Sequence, residues 1–103
     1  MWSSNKVIVI TGATKGLGKE AVLLLCRQKT SLVLVARTES LLKQTQNEIQ
    51  SLTGRPPLII PCDVSSQSDV ERMAGIIKNN FQHIDVLINN AGIGIHKISQ
   101  NMS

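Results

Sequence analysis

Lys6-Val-Ile-Val-Ile-Thr11-Gly12-Ala-Thr-Lys15-Gly16-Leu17-Gly18 runs from a β-branched apolar segment through a glycine-punctuated turn. Val7 to Ile10 is apolar at every position rather than at alternate ones, the pattern of a strand covered on both faces of a parallel sheet. Beyond the turn, Leu17, Ala21, Leu24 and Leu25 recur at helical spacing up to about Gln28. A turn between such a strand and such a helix lies where an α/β sheet presents its ligand crevice. Gly12 can leave the strand with a φ that side chains disfavour. Gly16 lets backbone approach a phosphate closely, and Gly18, in the first helical turn, lets the helix pack near the strand. The helix start then offers unpaired N–H groups and partial positive charge to a pyrophosphate. A Walker-type loop is excluded, because Lys15-Gly16 lacks the Lys-Ser/Thr ending.

Working outward, Ser31 to Ala36 is a second buried strand. Thr38 can cap the next helix with Glu39 in its first turn. Leu41, Leu42, Thr45, Ile49 and Leu52 mark the inner face of that helix, and Gly54 ends it. Pro56-Pro57 leads into a third strand, Leu58 to Ile60. Ser65 and Ser66 are candidate caps of a third helix, on which Val70, Met73, Ala74, Ile77 and Phe81 repeat at three-and-four spacing. Asp85 to Asn89 is a fourth strand. Strands alternating with helices predict an α/β fold, a Rossmann-type parallel sheet of about four strands in the order 3-2-1-4 with helices on both faces. Residues 1–103 are read as a single partial domain.

Composition narrows the function. The chain has 103 residues, 42% of them hydrophobic and 17% charged, as in ordinary globular proteins. No apolar run approaches the roughly 18 residues of a membrane span, and Met1 to Lys6 has no signal-peptide layout, so a cytoplasmic location is expected. The net charge of +4 is uneven, with a balance of +5 over residues 1–55 and −1 beyond, which suits an anionic ligand in the first half. One Phe, one Trp and no Tyr leave no stacking platform for single-stranded nucleic acid. Cys26, Cys62, His83 and His96 share no metal-ligand spacing, so no metal site is expected, and the cysteines read as buried free thiols.

The G-x-x-x-G-x-G spacing of Gly12, Gly16 and Gly18 resembles that of the short-chain dehydrogenase/reductase family. Cys62-Asp63-Val64 after the third strand and Asn89-Asn90-Ala91-Gly92 after the fourth resemble two further motifs of that family, in register. The resemblance implies a dinucleotide site on the glycine turn, including Thr14 and Leu17. In it Asp63 hydrogen-bonds the adenine, Val64 packs beside it and Asn90 contacts the adenosine ribose. Ala91 and Gly92 would line the cleft near the nicotinamide ribose.

The second strand ends Val35-Ala36-Arg37-Thr38. Dinucleotide folds that select NAD place an Asp or Glu there to bind the ribose 2′-hydroxyl. Arg37 instead can grip a 2′-phosphate with paired N–H bonds, Thr38 can add a hydroxyl, and Lys15 resembles the basic residue of NADP-preferring members. NADP(H) is therefore expected ahead of NAD(H). The family's hydride transfer uses a Tyr-x-x-x-Lys pair beyond the fourth strand, and this sequence holds no tyrosine. No catalytic residue is assigned. The expected role is the cofactor-binding portion of such an oxidoreductase, in a truncated product or a piece completed by another chain. The alternative is a non-catalytic nucleotide-binding or interaction module. The fourth strand is expected to have an open edge that invites self-association or a complementing partner.

Overall fold

A computed structural model describes residues 6–90. It comprises β1 (Lys6–Thr11), α1 (Gly16–Leu25), β2 (Thr30–Ala36), α2 (Glu39–Thr53), β3 (Leu58–Pro61), α3 (Gln67–Asn80) and β4 (Val86–Asn89). The strands form one parallel sheet in the order β3-β2-β1-β4. That is the predicted order, with β1, which leads into the glycine turn, and β2 at its centre.

Alternating side chains of the central strands sort onto the two faces. Ile8, Ile10, Leu32 and Leu34 pack with Val22 and Cys26 of the first connection and with Leu42 and Ile49 of α2. Val7, Val9, Val33 and Val35 pack with Ile60, Cys62, and Met73 and Ile77 of α3. Helices therefore cover both faces, two on one side and one on the other. This is why β1 and β2 carry no polar alternation. Both thiols are buried and free.

The helix termini differ from the sequence expectation in three places. α1 closes at Leu25, with the Cys26 N–H bonded to the Val22 carbonyl, short of Gln28. Thr38 occupies the N-cap of α2 without making a side-chain cap bond. Ser66 alone caps α3, its hydroxyl accepting the Asp69 N–H at 3.3 Å. Gly54 ends α2 in the left-handed region, at φ 76°.

The amphipathic phase of α1 also differs. Leu17 and Leu24 are each 74% exposed, and Gly18, Val22 and Cys26 are the buried residues. At about 100° per residue, Leu17 and Leu24 lie roughly 100–120° around the helix from Gly18. Contact at Gly18 sets the rotation of α1, so the larger leucines turn outward.

The amino ends of β1 and β4 are locked together around one carboxylate. Asp85 accepts the Val7 N–H at 2.7 Å, and its own N–H donates to the Val7 carbonyl at 2.9 Å. Lys6 Nζ and His83 Nε2 approach the same carboxylate at 3.8 and 3.2 Å. The Val7 N–H is the main cause that holds the Asp85 carboxyl below the usual carboxylate range, and Lys6 and His83 act in the same direction. This clasp sets the β1–β4 register, and with it the position of Asn90 one residue past β4.

Candidate dinucleotide site

At the carboxyl ends of β1, β2 and β3 a cavity of about 690 Å³ opens. Its wall brings together Gly12, Thr14, Lys15, Gly16, Arg37, Thr38, Asp63, Val64 and Asn90, residues singled out from four separate stretches of sequence. Val35, Ala36, Leu41, Cys62 and Ser65 complete the lining. Leu17 and Gly18 stand outside this wall, and Ala91 and Gly92 lie outside the described residues.

The turn is built by glycine conformations. Gly12 and Gly16 have φ of 63° and 53°, and no other residue type among those described has positive φ. A Cβ on Gly16 would meet nothing within 4 Å, so its missing side chain leaves an open approach to the backbone. Gly18 is constrained by packing instead. A methyl there would collide with the Gly12 carbonyl and lie 2.8 Å from Asn90 Nδ2. The start of α1 is thus held directly against the turn and against the end of β4.

Thr11 completes the join, and sequence reasoning passed over it. It is buried at the end of β1. Its hydroxyl donates to Asn89 Oδ1 at 3.0 Å and accepts the Asn90 N–H at 2.9 Å. A threonine closing an apolar strand looks like one more β-branched residue, so no local signal marks it. Its role exists only because β4 is adjacent.

The β2 and β3 ends carry opposite charges. Ala36 ends β2, and no carboxylate stands at Ala36, Arg37 or Thr38. Arg37 and Lys15 are both exposed cations at the cavity. Across from them, Asp63 Oδ1 accepts the Ser65 hydroxyl at 2.6 Å and the Ser65 N–H at 3.0 Å. The hydroxyl bond is the leading cause that lowers the Asp63 pKa, followed by the backbone bond, and Arg37 contributes in the same sense. Asp63 is therefore an ionised, acceptor-only group at neutral pH. Burial pushes the Cys62 thiol up, with Asp69 adding to it, so Cys62 forms wall and not a nucleophile.

A second cavity, about 440 Å³, lies at the opposite end of the sheet among Thr30, Arg55, Leu58 and Phe81. Its one cation, Arg55, already donates to the Gln28 and Thr30 carbonyls at 3.3 and 3.5 Å. Among the described residues its lining includes no glycine and no helix N-terminus. The chemistry of anion binding is thus concentrated at the carboxyl ends of the strands.

Residues 6–103 match the family model of the short chain dehydrogenases. The chain belongs to that family. An 11-beta-hydroxysteroid dehydrogenase of Pinus massoniana is 36% identical over 90 residues, which cover 87% of this chain and 25% of that one. An uncharacterized oxidoreductase of Staphylococcus epidermidis is 37% identical over 88 residues, covering 85% of this chain and 36% of its own. Among solved structures, a short chain dehydrogenase from Shigella flexneri 2a complexed with NADP superposes with a TM-score of 0.80 at 30% identity, over 85% of this chain and 38% of that one. This short-chain dehydrogenase chain thus spans about a quarter to two fifths of the lengths of these relatives. Among its described residues no helix is long and apolar enough to cross a membrane, and no cluster of His, Cys, Asp and Glu could hold a metal ion.

Proposed function

We propose that this chain is the NADP(H)-binding portion of a short-chain dehydrogenase/reductase oxidoreductase, residues 1–103 forming one partial dinucleotide-binding domain in the cytoplasm. The observation that carries the proposal is the convergence of Lys15 and Arg37 on the cavity beside the glycine turn, with no carboxylate at the end of β2. The positive φ of Gly12 and Gly16 and the open space over Gly16 suit a diphosphate laid against backbone.

In this reading the turn from Gly12 to Gly18, with Thr14 and Leu17, holds the diphosphate at the start of α1. Arg37, Lys15 and Thr38 hold the 2′-phosphate. Asp63 and Val64 hold the adenine, Asn90 the adenosine ribose, and Ala91 and Gly92 the cleft near the nicotinamide. Bound NADP(H) supplies hydride exchange with a carbonyl or alcohol carbon. The 103 residues contain no tyrosine, so the family's phenolic acid/base is not among them, and their part is to bind and orient the cofactor. Thr11 keeps Asn90 at the cavity, and Gly18 keeps the helix start at the diphosphate. The proposal extends to the β4 edge, where a second copy or a complementing chain would pair.

Calorimetric titration of the 103-residue chain with NADPH and NADH tests this directly. NADPH is expected to bind at least about tenfold more tightly, a difference of about 1.4 kcal/mol. Equal affinity would remove the 2′-phosphate assignment, and no heat with either would remove the dinucleotide.

A further inference from the structure

We infer that the outward face of α1 docks against α1 of a second copy of this chain, the two helices antiparallel about a two-fold axis, with Glu20 facing the partner's Arg27. The inference does not rest on the dinucleotide reading, and the surface is distinct from the β4 edge.

Leu17 and Leu24 are each 74% exposed, and Ala21 between them is half-buried. At about 100° per residue the three fall within an arc of roughly 60°, a narrow apolar seam at four-and-three spacing. That is the pattern by which two helices pair along their length. Ala21 is small and sits at the middle, so the partner's Leu24 can enter over it. The two-fold axis repeats the same contact with the roles exchanged.

Charge complementarity selects the partner and the direction. Glu20 and Arg27 flank the seam on one side, seven residues apart in sequence and within roughly 20° of each other around the helix. The Cys26 backbone is still helical, at φ −64° and ψ −20°, which carries Arg27 on in phase past Leu25. Both charges are exposed, and neither makes an ion pair among the described residues. Lys19, by contrast, is committed to Glu48 of α2 at 2.7 Å. In an antiparallel pair the flank on one side of the seam meets the same flank of the partner in reverse order. With Ala21 under the partner's Leu24, Glu20 falls opposite the partner's Arg27, and Arg27 opposite the partner's Glu20. Parallel pairing would set Glu20 beside the partner's Leu25 and leave both charges unmatched.

One ten-residue helix per copy makes a small interface of the weak, transient class, so association is expected in the micromolar-to-millimolar range. Sedimentation equilibrium of the full chain across that range tests it. Glu20→Lys alone, or Arg27→Glu alone, sets like charges opposite each other twice per dimer and is expected to weaken association at least about tenfold. An equimolar mixture of the two variants restores opposite charges at both contacts, and should associate to within about threefold of the wild type. Leu24→Gln, which removes a leucine from each side of the seam, is expected to weaken association about a hundredfold. All three positions are exposed, so melts at low concentration should match the wild type. A chain that stays monomeric at millimolar concentration overturns the inference. So does a dimer indifferent to all three variants, which would place the contact elsewhere, such as at the β4 edge. A mixture that associates no better than either variant alone overturns the antiparallel pairing and with it the inference.

Discussion

Gly18→Ala is expected to lower stability by about 3 kcal/mol, at the upper end of overpacking effects. Two opposed effects meet at this position. Alanine is the better helix former by about 1 kcal/mol, and an open site would gain from the change. The site is not open, because the added methyl meets the Gly12 carbonyl and stands 2.8 Å from Asn90 Nδ2. The nearer obstacle is backbone, since Gly12 belongs to the turn itself; the Asn90 amide is a side-chain end that can turn away, although its backbone is held by Thr11. The helix start or the turn has to move, so the packing penalty outweighs the propensity gain. In a chain of this size such a loss lowers Tm by roughly 12–24 °C, and circular-dichroism melts would show it. A Gly75→Ala control in α3, where a Cβ meets nothing within 4 Å, should leave Tm unchanged or higher. A Gly18→Ala melt no lower than wild type would mean that α1 does not sit against the turn as described.

Removing both cations of the cavity, Lys15→Ala with Arg37→Ala, is expected to weaken NADPH binding about a hundredfold while changing NADH binding by less than about threefold. Hydrogen bonds to charged groups contribute about 1.5–3 kcal/mol each, and simple addition would give a larger loss. Both side chains are exposed, where water and salt screen them, which brings the expected figure down. The contrast between the cofactors is the informative quantity, since they differ only in the 2′-phosphate. Raising the salt concentration should narrow the wild type's preference in the same direction. Equal losses for the two cofactors would show Lys15 and Arg37 to be ordinary surface charges.

Much of this arrangement was legible in the sequence, for identifiable reasons. Val7–Ile10 and Leu32–Val35 are buried on both sides, so their apolar runs announce central parallel strands without ambiguity. Gly12 and Gly16 are glycines because of their φ, and that requirement shows in sequence as punctuation. Arg37 and Asp63 were visible because each closely follows an apolar run, one residue past the end of β2 and two past the end of β3.

What was not legible depends on neighbours distant in sequence. Leu17 and Leu24 look like the inner stripe of α1, but the close approach at Gly18 turns Val22 and Cys26 inward instead. Ser65 and Ser66 are equivalent as cap candidates. Only the position of Asp63 decides that one binds a carboxylate and the other caps the helix. Thr11 acts on Asn89 and Asn90 from 78 and 79 residues away, and no local pattern encodes that. The Asp85 clasp is hidden for the same reason, because its partner Val7 lies in the first strand.

The central claim is that backbone amides of the first crossover hold the diphosphate while Arg37 holds the 2′-phosphate at the carboxyl ends of the strands. Amide NMR of the 15N-labelled chain titrated with NADPH reads this position by position. The largest shifts are expected at Gly12, Lys15, Gly16 and Arg37, with those at Arg37 much reduced when NADH replaces NADPH. Shifts confined to Thr30, Arg55 and Phe81 would place the ligand at the wrong end of the sheet, and the site described here would have to be abandoned.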